Sequence, residues 1–208
     1  FVTALACSVL TQLWLSRRHQ AHVRAHRERV PDAFAGRIPL DDHHKAAYYT
    51  VTRNRLGMIE LVYGSALLLA WTLGGGLDWL DQAWRGLALG PLYTGTAVML
   101  SAMFIMSLLD LPFSLYHTFV IEERFGFNRT PPGTYISDLV KQVLLALAIG
   151  ATMILLARWI MASSGELWWL YVWLAWMSFS LIMFWAYPAI IAPLFNKFSP
   201  LENETLKS

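Results

Sequence analysis

The chain has 208 residues, 56% of them apolar and only 14% charged, with ten Trp, one Cys and a formal net charge of +2. That balance departs from a soluble globular domain toward the membrane class. The single cysteine, Cys7, excludes an internal disulfide and any metal site built from cysteines, and no nucleic-acid partner is expected.

A spanning helix needs about 20 mostly apolar residues to cross a hydrocarbon core of roughly 30 Å. Five runs approach that length, which predicts an all-α polytopic bundle of about five transmembrane helices. The first, Phe1 to Leu15, is short and does not begin with Met, so position 1 reads as a domain boundary. No small-residue cleavage site comes after it; Trp14 leads instead to Arg17 and Arg18, as in a retained span. Cys7, inside this run, reads as a small packed hydrophobe. The second run, Met58 to Leu73, stops at Gly74-Gly75-Gly76, where a turn is easy. The third starts at Pro91 and stays apolar to Leu109; Pro112 is expected to kink or end it before Phe113 to Ile121 continues. The fourth, Leu139 to Leu156, is entered from Pro131-Pro132-Gly133 with Thr134 as its expected N-cap. Leu167 to Tyr187 forms the fifth, closed by Pro188 and Pro193.

Short cytoplasmic loops collect Lys and Arg. The segments after the first, third and fifth runs hold fourteen of the sixteen basic residues, from Arg17 to Lys197 and Lys207, leaving only Arg85 and Arg158 on the other side. The first loop, the third loop and the C-terminal tail are therefore expected to be cytoplasmic, with the N-terminus outside. Trp71, Trp79 and Trp84, then Trp159, Trp168 and Trp169, bracket the two opposite loops as interfacial indoles.

Candidate chemistry is sparse. His19, His22 and His26 fall on one side of a continuing helix, but five arginines between Arg17 and Arg29 oppose a cation and suit anionic headgroups. Asp41 and Asp42, before His43 and His44, suit a helix N-terminus. Asp110 is costly to expose to lipid and is expected to face the bundle interior, a watery cavity or the interface, with His117 two turns on. Glu122-Glu123-Arg124-Phe125-Gly126-Phe127-Asn128 reads as a structured loop, Gly126 taking angles closed to other residues and Asn128 bonding back onto it. The stretch from Ile191 through Asn196-Lys197-Phe198-Ser199-Pro200-Leu201 reads as a Pro-punctuated exit to something further on.

Leu111-Pro112-Phe113-Ser114-Leu115-Tyr116, Thr118-Phe119-Val120-Ile121-Glu122-Glu123, Gly126-Phe127-Asn128 and Ile191-Ala192-Pro193-Leu194-Phe195-Asn196-Lys197-Phe198 together resemble the membrane region of the CAAX prenyl protease 1 family. His44-Lys45-Ala46-Ala47-Tyr48-Tyr49-Thr50 resembles its bacterial members. These are zinc metalloendopeptidases that cleave after a prenylated cysteine. The resemblance implies a helical enclosure around a water-filled chamber whose active site is cytoplasmic. Its chemistry rests on a His-Glu-x-x-His helix, with zinc on both histidines and water activated by the glutamate. None of the six histidines here stands in that motif. Residues 1–208 are accordingly read as one N-terminal transmembrane domain, with no catalytic or metal-binding residue and inert alone. The zinc catalytic domain is expected after Ser208.

That reading makes the lipid bilayer, the chain's own C-terminal catalytic domain and a peptide or protein substrate its partners, and a bacterial inner membrane its location. Prenylated proteins and other membrane-associated proteins are both reasonable substrates. Asp110, Glu122, Glu123, Arg124 and Asn128 are the candidate substrate or domain contacts, although the last four also suit holding the loop together. The alternatives are a non-enzymatic transport or scaffold protein, and an intramembrane hydrolase using Asp110 and His117. A transporter would ordinarily show repeats or paired broken helices, and neither is evident.

Overall fold

The computed structural model describes residues 1–32, 34 and 36–195, and every regular element among them is helical. The exit stretch Asn196 to Leu201, with Lys197 and Lys207, lies outside the described residues. The main helices are α1 (Val2–Ala25), α2 (Leu40–Thr72), α3 (Gly76–Arg85), α4 (Pro91–Tyr116), α6 (Pro132–Ser163) and α7 (Trp168–Ala186). Short pieces extend two of them. A π-helical turn His117–Glu122 and α5 (Glu123–Phe125) come after α4, and a second π turn Tyr187–Ile191 and α8 (Ala192–Phe195) come after α7.

The chain divides into two compact units, Phe1–Ala88 with Ala97–Thr130, and Leu89–Thr96 with the described residues from Pro131 on, the boundary falling inside α4. In the first unit, α1 and α2 form an antiparallel hairpin. Leu5, Val9, Leu13, Ser16, Gln20 and Val23 are the less exposed stripe of α1, spaced three and four apart as one helix face requires. Buried Gln20 donates from Nε2 to Asn54 Oδ1 at 2.9 Å and lies 3.3 Å from Met58 Sδ. Cys7 falls off this stripe and is exposed, so it is not the packed residue expected from the sequence.

In the second unit, α6 packs on α7, burying Ile160 and Ala186. Lys141 Nζ donates to Asp138 Oδ1 and to the Leu194 carbonyl, both at 3.1 Å. Arg158 Nη2 donates to the Pro91 carbonyl at 2.6 Å, its guanidinium lying over Gly95 where a Cβ would collide.

Among the described residues, three helical stretches are long and apolar enough to span a membrane, Pro91–Phe125, Pro132–Ser163 and Gly165–Phe195, and a fourth arises if α2 and α3 count as one bent span. α1 is not among them; its described residues turn basic at Arg17 and Arg18. The spans bury at most 6% of their apolar windows within the protein, and Phe184 and Trp185 are 85% and 70% exposed. Such surface is stable where lipid or further protein covers it.

Several boundaries differ from expectation. Pro112 neither ends nor interrupts the helix, which continues through the π turn to Phe125. Pro112 leaves the Leu108 carbonyl without its helical donor, and Tyr63 supplies a hydroxyl to the next one, Leu109, at 3.3 Å. Pro188 does not close the last span either; a π turn takes it up and the helix runs on through Pro193 to Phe195. α6 starts at Pro132, with Thr134 in its first turn instead of at the cap, because Pro at the first position needs no donor. Asp41 and Asp42 sit in the first turn of α2, favourable to its dipole, while Pro39 occupies the cap.

The loop after the second span holds the unexpected helix α3, set 49° from α2 across Gly75 at φ 78°. Its Trp84 Nε1 donates to Ser101 Oγ at 2.9 Å, so this indole N–H is used inside the protein and not by a headgroup.

Candidate functional site

The site grows from the end of the long helix that α4 begins. The π turn His117–Glu122 carries Ile121, and α5 after it carries Phe125, both of which point into the protein. Both are buried with Leu56 of α2, and Tyr49 and Phe113 pack against them. Ile121, at 2% exposure, is the most deeply enclosed large side chain among the described residues.

Beside this core, the Tyr49 hydroxyl donates to Glu122 Oε1 at 2.5 Å, and His117 Nε2 lies 3.4 Å from the same oxygen. Edge-on contacts with Phe125 and Phe127, at centroid distances of 5.3 and 5.1 Å, fix the Tyr49 ring. Lys45, one turn earlier on α2, holds its Nζ 5.3 Å from the Phe127 ring centroid.

The helix terminates at Gly126, whose φ of 74° is the left-handed cap that glycine adopts without strain. Its N–H donates to the Glu123 carbonyl at 3.0 Å, and Phe127 N–H to the Glu122 carbonyl at 2.8 Å. Asn128 closes the loop twice. Nδ2 donates to Glu123 Oε2 at 3.1 Å, and Oδ1 accepts the Thr130 N–H at 2.8 Å.

Of the five residues singled out from the sequence, the fold brings Glu122, Glu123 and Asn128 together by hydrogen bonds at the end of the helix, so the loop expected from Glu122 begins only at Gly126. Arg124 is exposed on α5, with no carboxylate partner among the described residues. Asp110 is exposed about three helical turns earlier and does not join the cluster. His117 turns to Glu122, not to Asp110 as the sequence spacing allows. Sequence reasoning overlooked Tyr49 and Lys45. The signal was present in the His44 to Thr50 stretch, which carries no acid pair or nucleophile to attract notice.

Among the described residues no group of three or more His, Cys, Asp or Glu side chains is arranged to hold a metal, and no His-Glu-x-x-His occurs in the sequence. Zinc therefore has no fitting ligand set among them.

A hydrogen-bonded helical scaffold with thin internal packing and broad apolar faces defines a polytopic α-helical membrane protein. Residues 19–197 match the family described as CAAX prenyl protease N-terminal, five membrane helices, and the chain belongs to that family. It is 31% identical over 192 residues to a CAAX prenyl protease 1 homolog of Caenorhabditis elegans, covering 92% of this chain and 42% of that protein. The Homo sapiens CAAX prenyl protease 1 homolog is 30% identical over 219 residues, covering 100% and 46%. The crystal structure of S. mikatae Ste24p superposes with a TM-score of 0.85 at 24% identity, over 98% of this chain and 48% of that one, a likeness of fold. The chain thus spans less than half the length of these relatives.

Proposed function

We propose that this chain is the N-terminal membrane domain of a zinc-dependent endopeptidase, forming part of a chamber wall and the route by which prenylated or membrane-associated proteins reach a catalytic domain encoded after Ser208. The observation that carries the reading is extent: essentially all of the chain aligns with somewhat under half of proteins named CAAX prenyl proteases. Zinc, held by that second domain, would polarise the scissile carbonyl and activate water.

In this reading Glu122, Glu123 and Asn128 position the loop, and Arg124 and Asp110 present charge to substrate or to the catalytic domain. The basic loops favour a cytoplasmic first loop, third loop and tail with the N-terminus outside, and the reading puts the chain in a bacterial inner membrane. The test compares the full gene product with residues 1–208 on a fluorogenic prenylated peptide and on an unprenylated membrane-protein fragment. Chelator-sensitive cleavage by the longer protein alone is expected. Cleavage by residues 1–208 would overturn the reading.

A further inference from the structure

Between α1 and α2 lies an open groove of about 820 Å³, lined by Leu13, Arg17, Gln20 and Arg24 on one wall and by Arg55, Met58, Ile59, Val62 and Tyr63 on the other. Because the helices run antiparallel, with Gln20 level with Asn54 and Met58, this lining is sorted along its length. By that register Leu13 lies toward Val62 and Tyr63, Arg17 is level with Ile59, and Arg24 and Arg55 lie at the other end. From Leu13 to Arg24 the wall is about 16 Å long at 1.5 Å per residue.

The three guanidinium groups share one groove, and among the described residues none of them is paired with a carboxylate. Arg24 donates to Gln20 Oε1 at 3.3 Å, and no acidic side chain lines the groove.

We propose that the groove binds one anionic phospholipid, its phosphodiester held by Arg17, Arg24 and Arg55 and an acyl chain laid along Leu13, Met58, Ile59 and Val62. Charge and shape select this occupant. Planar guanidinium forks match phosphate oxygens two at a time. A free anion leaves the apolar half of the groove unused, and an apolar protein helix strips water from three cations without offering an acceptor. A phospholipid satisfies both ends, and anionic lipid is attracted to juxtamembrane arginines.

Native mass spectrometry of the delipidated chain tests this, by titration with phosphatidylglycerol and phosphatidylcholine of matched acyl chains. One retained phosphatidylglycerol and a preference of about tenfold over phosphatidylcholine are expected, with about fivefold weakening for Arg55→Gln alone. The triple variant Arg17→Gln, Arg24→Gln, Arg55→Gln abolishes the preference. A charge-matched control, Arg29→Gln, Arg37→Gln, Arg129→Gln, retains it. If the triple variant fails to fold, Arg17→Gln and Arg55→Gln singly give the same reading. Equal loss in the control assigns the effect to general surface charge and overturns the site. So does displacement of the lipid by glycerol phosphate at equal concentration, which would show that the apolar half contributes nothing, and so does a wild-type chain without preference.

Discussion

The Tyr49 hydroxyl and the Glu122 carboxylate, 73 positions apart in sequence, meet at 2.5 Å and tie the start of α2 to the end of the long helix begun by α4. A hydrogen bond to a charged acceptor beside a packed core contributes more than a neutral one. Tyr49→Phe is expected to lower stability in detergent by about 1–2 kcal/mol, and Glu122→Gln by less, since the amide still accepts. Chemical unfolding of Tyr49→Phe, of Glu122→Ala and of the double variant that combines them checks the pair. Strict additivity in that cycle would contradict a direct bond.

Gly126 is held at φ 74°, where a Cβ is strained. Gly126→Ala is expected to cost about 1 kcal/mol, with Gly126→Asn costing less because Asn tolerates the left-handed region. Limited trypsinolysis at Arg124 and Arg129 is the readout. The alanine variant is cut faster than wild type, and equal rates would mean that the cap does not hold the loop.

Much of this was legible in the sequence, and the limits have physical causes. All five apolar runs are helical, the first as part of α1, because a bilayer leaves backbone groups no alternative. Gly126 and Asn128 announced their roles because few residues fit a left-handed cap or an Asx turn. The prolines misled as markers of helix ends. Pro112, Pro188 and Pro193 sit inside continuing helices because π turns and a tyrosine hydroxyl absorb what an isolated helix cannot. Helix α3 was readable from Leu77, Leu80, Ala83 and Trp84 at three- and four-residue spacing, but ten residues lie below spanning length. Glu122 was visible as a charge, whereas its partner Tyr49 is a long-range contact that no local pattern encodes.

The Arg158 guanidinium occupies the space above Gly95 while donating to the Pro91 carbonyl. Gly95→Ala is expected to push it off that carbonyl and cost about 1 kcal/mol. In an Arg158→Ala background the sign reverses, because alanine then adds its better helix propensity, worth up to about 1 kcal/mol, without a clash. Unfolding midpoints of the four proteins decide it. A cost that persists without Arg158 would contradict the contact.

Exposed Arg124 is expected to shift stability by no more than about 0.5 kcal/mol when changed to Gln. In the longer protein the same change lowers proteolysis if Arg124 contacts substrate or the catalytic domain. Unchanged turnover would leave Arg124 a solvated surface charge. Asp110→Asn tests the hydrolase alternative: unchanged proteolysis there discards an intramembrane site built on Asp110 and His117.

The most direct measurement is to read the gene in frame beyond Ser208. The account predicts a His-Glu-x-x-His motif there, the zinc-binding helix for which residues 1–208 are the membrane half. A stop codon immediately after Ser208 would contradict it and leave a scaffold or transport protein that shares only the family's membrane domain.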